Sequence, residues 1–577
     1  MAKKKRKSDE IETDEGTIGD DPFESLDLEW LDQEEGELTI EVLGQDPFEE
    51  VDLLELVGNE LYPELAWEEG EAAVGEEVEV EKLDFDFEQV VVEQLSPEQA
   101  AVSAESAARP EAIEPRQVPP AAVVVTAPEK PEKEVRMPQA TFHFPADFKW
   151  GVATAAHQVE GENTLNDWWA WEQTEGRIKD GSTSGLACNW WENAEADFDR
   201  AAAMGLNALR LSVEWSRVEP QPGTCDNSAL ERYRHMLQGL RARNIEPMVT
   251  LHHFTNPGWL AEQGGWEAPE TVALFARFAR RVVEALGPYC DLWCTINEPN
   301  VYGYMGYLEG AFPPGQSDLG TAMSVVRNML LGHAAAYREI HAVQPHARVG
   351  LAHNMRVFDP ANPRSVLDRC AARMTDRVYN QAILTALTTG HWMWPLGVGL
   401  AWRLRGTLDW IGLNYYTRDL VAFDRARSQQ LFTRRLHGDG SELLDGGYGE
   451  FYPPGLLRCL RRLARMDLPT YVTENGVPDD DDDQRPRYLV THLHQMWRAI
   501  QCCYPVMGYY HWTLVDNFEW AEGWSLRFGL IELDPETQAR RPRRSADLYT
   551  DVVRANALSS QVIDHYTPQL RSELLPR

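Results

Sequence analysis

The amino-acid sequence predicts an α/β protein in which a (β/α)8 barrel of the TIM type follows a long acidic segment. From residue 142 onward, short runs rich in β-branched and aromatic residues alternate with helical patterns, as expected for parallel strands joined by crossover helices. Eight such runs occur over roughly 420 residues, which fits one barrel with enlarged loops. The residues before them have a different, strongly acidic composition. These observations favour one large barrel domain with an added segment in front of it.

We place the eight strands by their β-rich composition and by the turn or helix that follows each one. The predicted strands lie near residues 148–157, 208–214, 245–253, 289–297, 348–354, 410–416, 469–475 and 506–513. The clearest helix between them is Ala268–Leu286, where Leu274, Phe278, Val282 and Leu286 recur on one face. In a barrel of this type the chemistry lies at the carboxyl ends of the strands, so the polar residues that close each strand are the candidates.

The front of the chain holds most of its negative charge. Residues 1–140 carry 40 acidic and 11 basic residues, whereas residues 141–577 carry 52 and 43. Between residues 8 and 100 there are 34 acidic residues and a single base, Lys82. Such a segment cannot bury enough apolar surface to offset the entropy of its chain, so we expect residues 1–100 to be disordered. Its charge would repel phosphate, which argues against nucleic acid as a partner.

The acidic segment also contains a degenerate repeat. Asp21-Pro22-Phe23-Glu24 recurs as Asp46-Pro47-Phe48-Glu49, and apolar residues follow each copy. Apolar clusters interleaved with acids can fold onto a protein partner as short helices, and a solvated acidic tail is the alternative. Residues 101–140 are rich in Ala and Pro and are predicted to be a linker. The barrel domain is therefore expected to span residues 141–577.

Cysteine usage and hydropathy give an expectation for the compartment. All eight cysteines lie after residue 187, and none has the paired spacing of a zinc site. No apolar run of about 18 residues occurs, so no integral membrane segment is expected. The basic start, Met1–Lys7, is followed by acidic residues, whereas a secretory signal would continue with an apolar core. We therefore expect a cytoplasmic protein.

Two of the predicted strands end in a glutamate. The fourth ends in Thr295-Ile296-Asn297-Glu298 and the seventh in Tyr471-Val472-Thr473-Glu474. Glycoside hydrolysis needs a pair of carboxyl groups, one to protonate the departing oxygen and one to attack the anomeric carbon or activate water. Strands four and seven face each other across a small barrel, so a separation of roughly 5–5.5 Å, typical of retaining enzymes, is feasible. A lone glutamate at a strand end is more often a surface residue or a helix cap.

A series of motifs decides between these interpretations. Seven motifs occur in order between residues 148 and 534: Phe148–Gly161, Leu209–Trp215, Leu251–Phe254, Asn297–Pro299, Asn414–Tyr416, Thr473–Gly476 and Trp512–Trp520. In sequence and in order they resemble the family-1 glycoside hydrolases, the β-glucosidase and β-galactosidase family. The resemblance implies a (β/α)8 barrel and a retaining β-glycosidase that removes terminal β-linked glucose or galactose. The first 140 residues have no counterpart in this pattern.

The resemblance also assigns roles to the residues around the two glutamates. It implies that Glu474 is the nucleophile and Glu298 the general acid/base. The positive charge of Arg210 would favour the ionised form of Glu474, and Tyr416 could donate its phenolic proton to the same carboxylate. Negative Glu474 would in turn raise the pKa of Glu298, so that one residue serves first as acid and then as base. Asn414 belongs to the same supporting set.

A second set of residues is implied for sugar binding. Carboxylate and amide groups can form hydrogen bonds with sugar hydroxyls, and an indole ring can stack under the sugar. The resemblance assigns these tasks to Gln158, His253, Asn297, Trp512, Glu519 and Trp520. The neighbouring His252 does not occupy the motif position and is expected to be structural. No metal or organic cofactor is implied, and the acidic run Asp479–Asp483 is interpreted as a solvated loop.

Two other functions remain open from the sequence. A transglycosidase, in which an alcohol replaces water as the acceptor, would use the same residues. A non-catalytic scaffold acting through residues 1–100 would not need both glutamates, and both are present.

Overall fold

Eight parallel strands close into a barrel in the computed structural model, which describes residues 139–427 and 430–575. The barrel strands are β1 (Lys149–Ala153), β2 (Ala208–Ser212), β3 (Glu246–His252), β4 (Leu292–Asn297), β5 (Arg348–Asn354), β6 (Trp410–Asn414), β7 (Thr470–Asn475) and β8 (Val506–Trp512). They are adjacent in chain order, and β8 pairs with β1 to close the ring. The predicted TIM-type fold is confirmed. The acidic segment 1–100 and most of the predicted linker lie outside the described residues.

Helices surround the barrel and connect its strands. The main ones are α1 (Trp190–Met204), α2 (Asn227–Ala242), α3 (Thr271–Leu286), α4 (Pro299–Tyr307), α5 (Leu319–Val343), α6 (Val366–Asp376), α7 (Ala382–Thr389), α8 (Pro454–Leu463), α9 (Arg485–Gln501) and α10 (Arg544–Ala555). Shorter helices are Ala156–Val159, Asp167–Glu172, Trp215–Val218, Gly258–Glu262, Ser560–Tyr566 and Arg571–Leu574. Among the described residues, no helix is both long enough and apolar enough to cross a membrane.

Four small sheets lie outside the barrel. Thr141–His143 pairs with Ala557–Ser559, so the two ends of the barrel domain are held together. The other small sheets contain the strands Val357–Pro360, Arg418–Phe423 and Thr433–Leu436, the strands Ile531–Leu533 and Arg540–Pro542, and the strands His391–Trp392 and Gly399–Leu400.

Helix α3 shows how the sequence pattern becomes a packed element. Phe278, Val282 and Leu286 are buried as predicted, and burying an apolar side chain of this size contributes about 1.5–3 kcal/mol. The helix begins at Thr271, three residues later than predicted. Ala268 precedes a proline, whose ring disfavours helical backbone in the residue before it, and Ala268 is extended (ψ 123°).

The carboxyl end of β1 also differs from the prediction. The strand was expected to continue to residue 157, but it ends at Ala153 and the chain turns into the short helix Ala156–Val159. The turn is held by Ser212 on β2, whose hydroxyl oxygen accepts a hydrogen bond from the backbone N–H of Ala156 at 2.7 Å. Gln158 therefore lies on a helical turn above the barrel.

The polar residues predicted to be functional lie at the carboxyl ends of the strands. Irregular pairing occurs at three of these ends, between Cys294 and Asn297 on β4, between Leu413 and Asn414 on β6 and between Val472 and Asn475 on β7. Such irregularities redirect side chains and are common next to active sites. Glu298 follows β4 with a left-handed backbone (φ 47°), a conformation that costs a non-glycine residue about 1–3 kcal/mol.

Candidate active site

One hydrogen-bond network joins Glu298 and Glu474. Arg210 donates from Nη1 to Glu474 Oε1 at 2.5 Å and from Nη2 to Asn297 Oδ1 at 2.7 Å. Asn414 donates from Nδ2 to Asn297 Oδ1 at 3.0 Å and to Glu298 Oε1 at 2.7 Å. Both glutamates are buried, with 5% and 4% of their surface exposed. The network therefore holds two carboxyl groups from different strands in one desolvated site.

The direct partners of Glu474 favour its ionised form. Its Oε1 forms an ion pair with Arg210, and its Oε2 accepts a 2.8 Å hydrogen bond from the Tyr416 hydroxyl. Burial raises the pKa of Glu474 above its ordinary value, and the charge of Arg210 and the hydrogen bond from Tyr416 oppose this rise. Glu474 thus has a cation and a hydroxyl donor available to stabilise a negative charge, as the chemistry of a nucleophile requires.

The surroundings of Glu298 favour its protonated form. Its direct partners are neutral amides, Asn414 and Asn354, whose Nδ2 donates to Glu298 Oε1 at 2.8 Å. Burial and the negative charge of Glu474 raise the pKa of Glu298 to about 8. Glu298 can therefore hold its proton near neutral pH, whereas the cation and the hydroxyl beside Glu474 stabilise its anion, and this asymmetry is what acid-assisted displacement needs.

Arg210 is the side chain on which this asymmetry depends. It is fully buried on β2, and its Nε donates to Thr250 Oγ1 at 3.0 Å. Burial alone would lower the pKa of Arg210, but the carboxylate of Glu474 raises it. Removing one partner of a buried ion pair leaves an uncompensated charge and costs about 3–5 kcal/mol. Arg210 is thus held in position by its hydrogen bond to Thr250 and by its ion pair with Glu474.

Gln158 and Glu519 form one polar side of the site. Gln158 donates from Nε2 to Glu519 Oε2 at 3.1 Å, and its Oε1 is buried and has no hydrogen-bond partner among the described residues. Burial and then Glu474 raise the pKa of Glu519 to about 8, and hydrogen bonds from Trp512 and Gln158 oppose this. A buried amide oxygen without a partner can accept a hydrogen bond from a ligand hydroxyl.

His253 lies between two indole rings. Its ring centroid is 5.9 Å from that of Trp512 and 6.0 Å from that of Trp520, with near-parallel planes. Asn297 Nδ2 lies 3.1 Å from His253 Nε2, and Nδ1 has no partner among the described residues. Burial and Arg210 hold the pKa of His253 well below its usual range, so the ring is neutral. If Nε2 accepts from Asn297, Nδ1 carries the proton and can donate to a ligand.

His252 points away from this network, as expected of a structural residue. It contacts Asn256 and Trp266, and burial lowers its pKa to about 4. His157 instead packs against Trp520, one of the predicted sugar-binding residues. It is buried, lies 3.1 Å from Asn166 Nδ2 and stacks on Trp520 at 5.9 Å.

The structure adds residues to the site that the sequence analysis did not assign. Asn354 bonds to Glu298, and it accepts a 2.9 Å hydrogen bond from the Tyr379 hydroxyl. Thr473 donates to Asn414 Oδ1 at 2.6 Å and orients its amide. Asn354 closes the fifth predicted strand, so the rule of examining polar strand ends could have found it. Nothing in the sequence separates Tyr379, which comes from a helical connection, from other buried tyrosines.

Known proteins are similar to this chain over most of its length. The model of glycosyl hydrolase family 1 matches residues 140–558. A β-glucosidase A of Thermotoga maritima is 32% identical over 447 residues, which cover 72% of this chain and 98% of that protein. A β-galactosidase of Pyrococcus woesei is 31% identical, over 73% of this chain and 98% of that protein.

Solved structures show the same barrel. A β-glycosidase from Pyrococcus horikoshii is similar with a TM-score of 0.69 and 35% identity, covering 74% of this chain and 98% of that one. A β-glucosidase from Thermotoga maritima in complex with glucoimidazole has a TM-score of 0.69 and 31% identity, covering 72% and 100%. The uncovered part of the chain corresponds in size to the front segment.

Proposed function

The chain belongs to glycosyl hydrolase family 1 and is a retaining β-glycosidase, and from this premise we propose that Glu474 is its nucleophile and Glu298 its general acid/base. The observation that supports this division is the difference in partners. Glu474 is paired with the guanidinium of Arg210, whereas Glu298 contacts neutral amides. A carboxylate that must attack is stabilised as an anion, and a carboxyl group that must donate a proton keeps it.

The reaction proceeds by two displacements. In the first, a carboxylate oxygen of Glu474 forms a bond to the anomeric carbon while the bond to the aglycone oxygen breaks, and Glu298 gives its proton to that oxygen. In the second, Glu298 takes a proton from water, whose oxygen attacks the anomeric carbon and releases Glu474. Two inversions at one carbon give net retention. The Asn297 amide, held by Arg210, can donate its remaining N–H to the sugar 2-hydroxyl.

We propose that the glycone is an unmodified glucosyl or galactosyl unit. Gln158, Glu519 and His253 present donors and acceptors to hydroxyl groups, and Trp512 provides an aromatic face. Relatives named β-glucosidase and β-galactosidase support both sugars. Burial already disfavours a second negative charge on Glu519 beside Glu474, so a phosphate dianion there would be repelled more strongly still.

These contacts predict the outcome of a panel of nitrophenyl β-glycosides. We expect kcat/KM for the glucoside and the galactoside to agree within about tenfold, since the two sugars differ in the direction of one hydroxyl group and one net hydrogen bond contributes about 0.5–1.5 kcal/mol. The kcat/KM for the 6-phosphoglucoside should be at least about 10³-fold lower, because the negative phosphate would lie close to the negative charge of Glu474, and such a contact of like charges costs several kcal/mol. The α-anomer of the glucoside is the control and should not be hydrolysed. Efficient turnover of the 6-phosphoglucoside would contradict the proposed glycone site.

A cytoplasmic location remains a proposal. All eight cysteines lie within the described residues, and all are free thiols. Free cysteines are usual for proteins of reducing compartments, which supports this proposal.

We further propose that residues 1–100 bind a protein partner. The support comes from sequence, namely the repeated Asp-Pro-Phe-Glu clusters, the apolar residues that follow them and the excess of acids. A partner surface that combines basic and apolar groups would complement these features.

Deleting residues 1–138 should separate this role from catalysis. The deletion removes no residue of the barrel domain, whose first strand is Thr141–His143, so we expect kcat/KM on small aryl glycosides to change by less than about twofold. The isolated segment should retain its partner at low salt and lose it at high salt, because surface charges are screened over about 10 Å at 0.1 M. A pull-down at two salt concentrations measures this. Loss of activity in the truncated chain would place the segment within the catalytic fold.

A further inference from the structure

The acidic loop after β7 places three of its five aspartates together. Asp482 is engaged elsewhere, because Arg485 donates to its Oδ1 at 2.5 Å. The side chain of Asp480 is 85% exposed. Asp479, Asp481 and Asp483 instead converge, with one carboxylate oxygen of each within 4.8 Å of the others. Alternating residues of the loop therefore bring their carboxylates close together. Asp480, Asp481 and Asp483 are exposed, as expected of a solvated loop, whereas Asp479 is buried.

Asp479 supplies the observation that points to a ligand. Its side chain is almost fully buried, with 1% of the residue exposed. Its Oδ2 accepts backbone hydrogen bonds from Gln484 at 2.9 Å and Arg485 at 2.6 Å, but its Oδ1 is buried and has no hydrogen-bond partner among the described residues. A buried charged acceptor without a partner is costly, and such atoms usually indicate an ion or water.

The nearby arginines are directed to other acceptors. Arg485 donates from Nη2 to the carbonyl oxygens of Asp479 and Arg527 as well as pairing with Asp482. Arg487 binds Glu442 through both terminal nitrogens. The guanidinium hydrogen bonds of these two residues are therefore directed away from the three converging carboxylates, which repel one another at this separation.

We propose that Asp479, Asp481 and Asp483 bind a Ca²⁺ ion. Calcium takes six to eight oxygen ligands in flexible geometry and is commonly bound by alternating acidic residues of one loop. Asp481 and Asp483 are exposed, so water can complete the coordination. Mg²⁺ demands near-octahedral geometry and loses its water reluctantly, so it should bind more weakly. This site was not expected from the sequence, which implied no metal.

The position of the loop indicates what the ion would stabilise. The loop begins five residues after Glu474, and the intervening Val477 packs against Leu444 and Tyr488. The Tyr488 hydroxyl donates to the backbone carbonyl of Tyr416. The Tyr416 hydroxyl in turn donates to Glu474 Oε2. An ion that fixes the loop would therefore stabilise the segment behind Glu474 and Tyr416 while leaving the reacting groups untouched.

Thermal unfolding of the full chain tests the proposal. With a dissociation constant of about 10⁻⁴ M, 10 mM Ca²⁺ should raise the midpoint by about 3 °C relative to EGTA. The midpoint is measured by tryptophan fluorescence, so the test does not depend on glycosidase activity. KCl matches the ionic strength, and MgCl₂ at 10 mM should give a clearly smaller shift. No shift with Ca²⁺ beyond the KCl control would overturn the proposal.

Three isosteric variants locate the site. Asp481→Asn and Asp483→Asn should each remove most of the Ca²⁺-dependent shift, and because both side chains are exposed the chain should still fold. Asp480→Asn is the matched control, since it makes the same charge change in the same loop at a residue outside the cluster. It should retain the full shift. An equal loss in Asp480→Asn, or a retained shift in the other two, would show binding elsewhere on this acidic chain and exclude the site.

Discussion

Replacing Glu474 by glycine is expected to lower kcat on nitrophenyl β-glucoside by about 10⁵–10⁶-fold, the loss typical of removing a catalytic nucleophile. The substitution leaves the buried charge of Arg210 without its carboxylate partner, which costs about 3–5 kcal/mol of stability, but the hydrogen bonds of Arg210 to Thr250 and Asn297 would hold it in place. Added azide should then restore turnover, since a small anion can enter the vacated space beside the Arg210 guanidinium.

The stereochemistry of the rescued product tests the role of Glu474 directly. Azide attack in Glu474→Gly is a single displacement, so nuclear magnetic resonance should show an α-glycosyl azide. Glu298→Ala with azide is the matched control. It keeps the nucleophile, undergoes two displacements and should give the β-glycosyl azide. A β product from Glu474→Gly would mean that another group attacks the anomeric carbon.

Replacing Glu298 by alanine should give a loss that depends on the leaving group. For a phenyl or alkyl glucoside, whose departing oxygen is basic, kcat/KM should fall by about 10³–10⁴-fold, as expected when a general acid is removed. For a dinitrophenyl glucoside, which departs without a proton, the effect on the first step should be small. Equal losses on both substrates would exclude Glu298 as the acid.

The same substitution should change the pH profile. In the native chain Glu298 must be protonated to act, and its raised pKa of about 8 means that kcat/KM is retained below that pH and falls as the pH rises through it. With Glu298→Ala and the dinitrophenyl substrate, this basic limb should disappear. A limb that persists unchanged in the variant would assign the titration to another group, such as Glu519.

The sequence predicted most of the barrel because its strands and helices carry strong local patterns. All eight barrel strands lie within or beside the predicted runs, since a β-rich run buried on both faces and followed by a helix has few alternative folds. The start of α3 was misplaced because of the local effect of Pro269 on Ala268, whereas the end of β1 was misplaced because a tertiary contact decides the backbone there. Just after β1, the Ser212 hydroxyl oxygen accepts a hydrogen bond from the backbone N–H of Ala156. Neither residue carries a local signal of this contact.

The candidate site was predicted to a similar extent and for a similar reason. Glu298, Glu474 and Arg210 belong to continuous motifs, and the structure brings them into one network. Asn354 and Tyr379 act through contacts between residues 25 positions apart, which no single motif contains. The same holds for the Asp479 cluster, where the composition indicated charge but only the fold shows which carboxylates converge.

The buried Arg210 has a consequence for the lifetime of the covalent intermediate. In the proposed mechanism Glu474 becomes an uncharged ester once the sugar is attached, so the guanidinium loses its counter-ion in a site where it is fully buried. The ester is thereby made less stable than it would be in water, and its carboxylate becomes a better leaving group. Under this mechanism the same arginine that stabilises the attacking carboxylate also favours its release from the sugar.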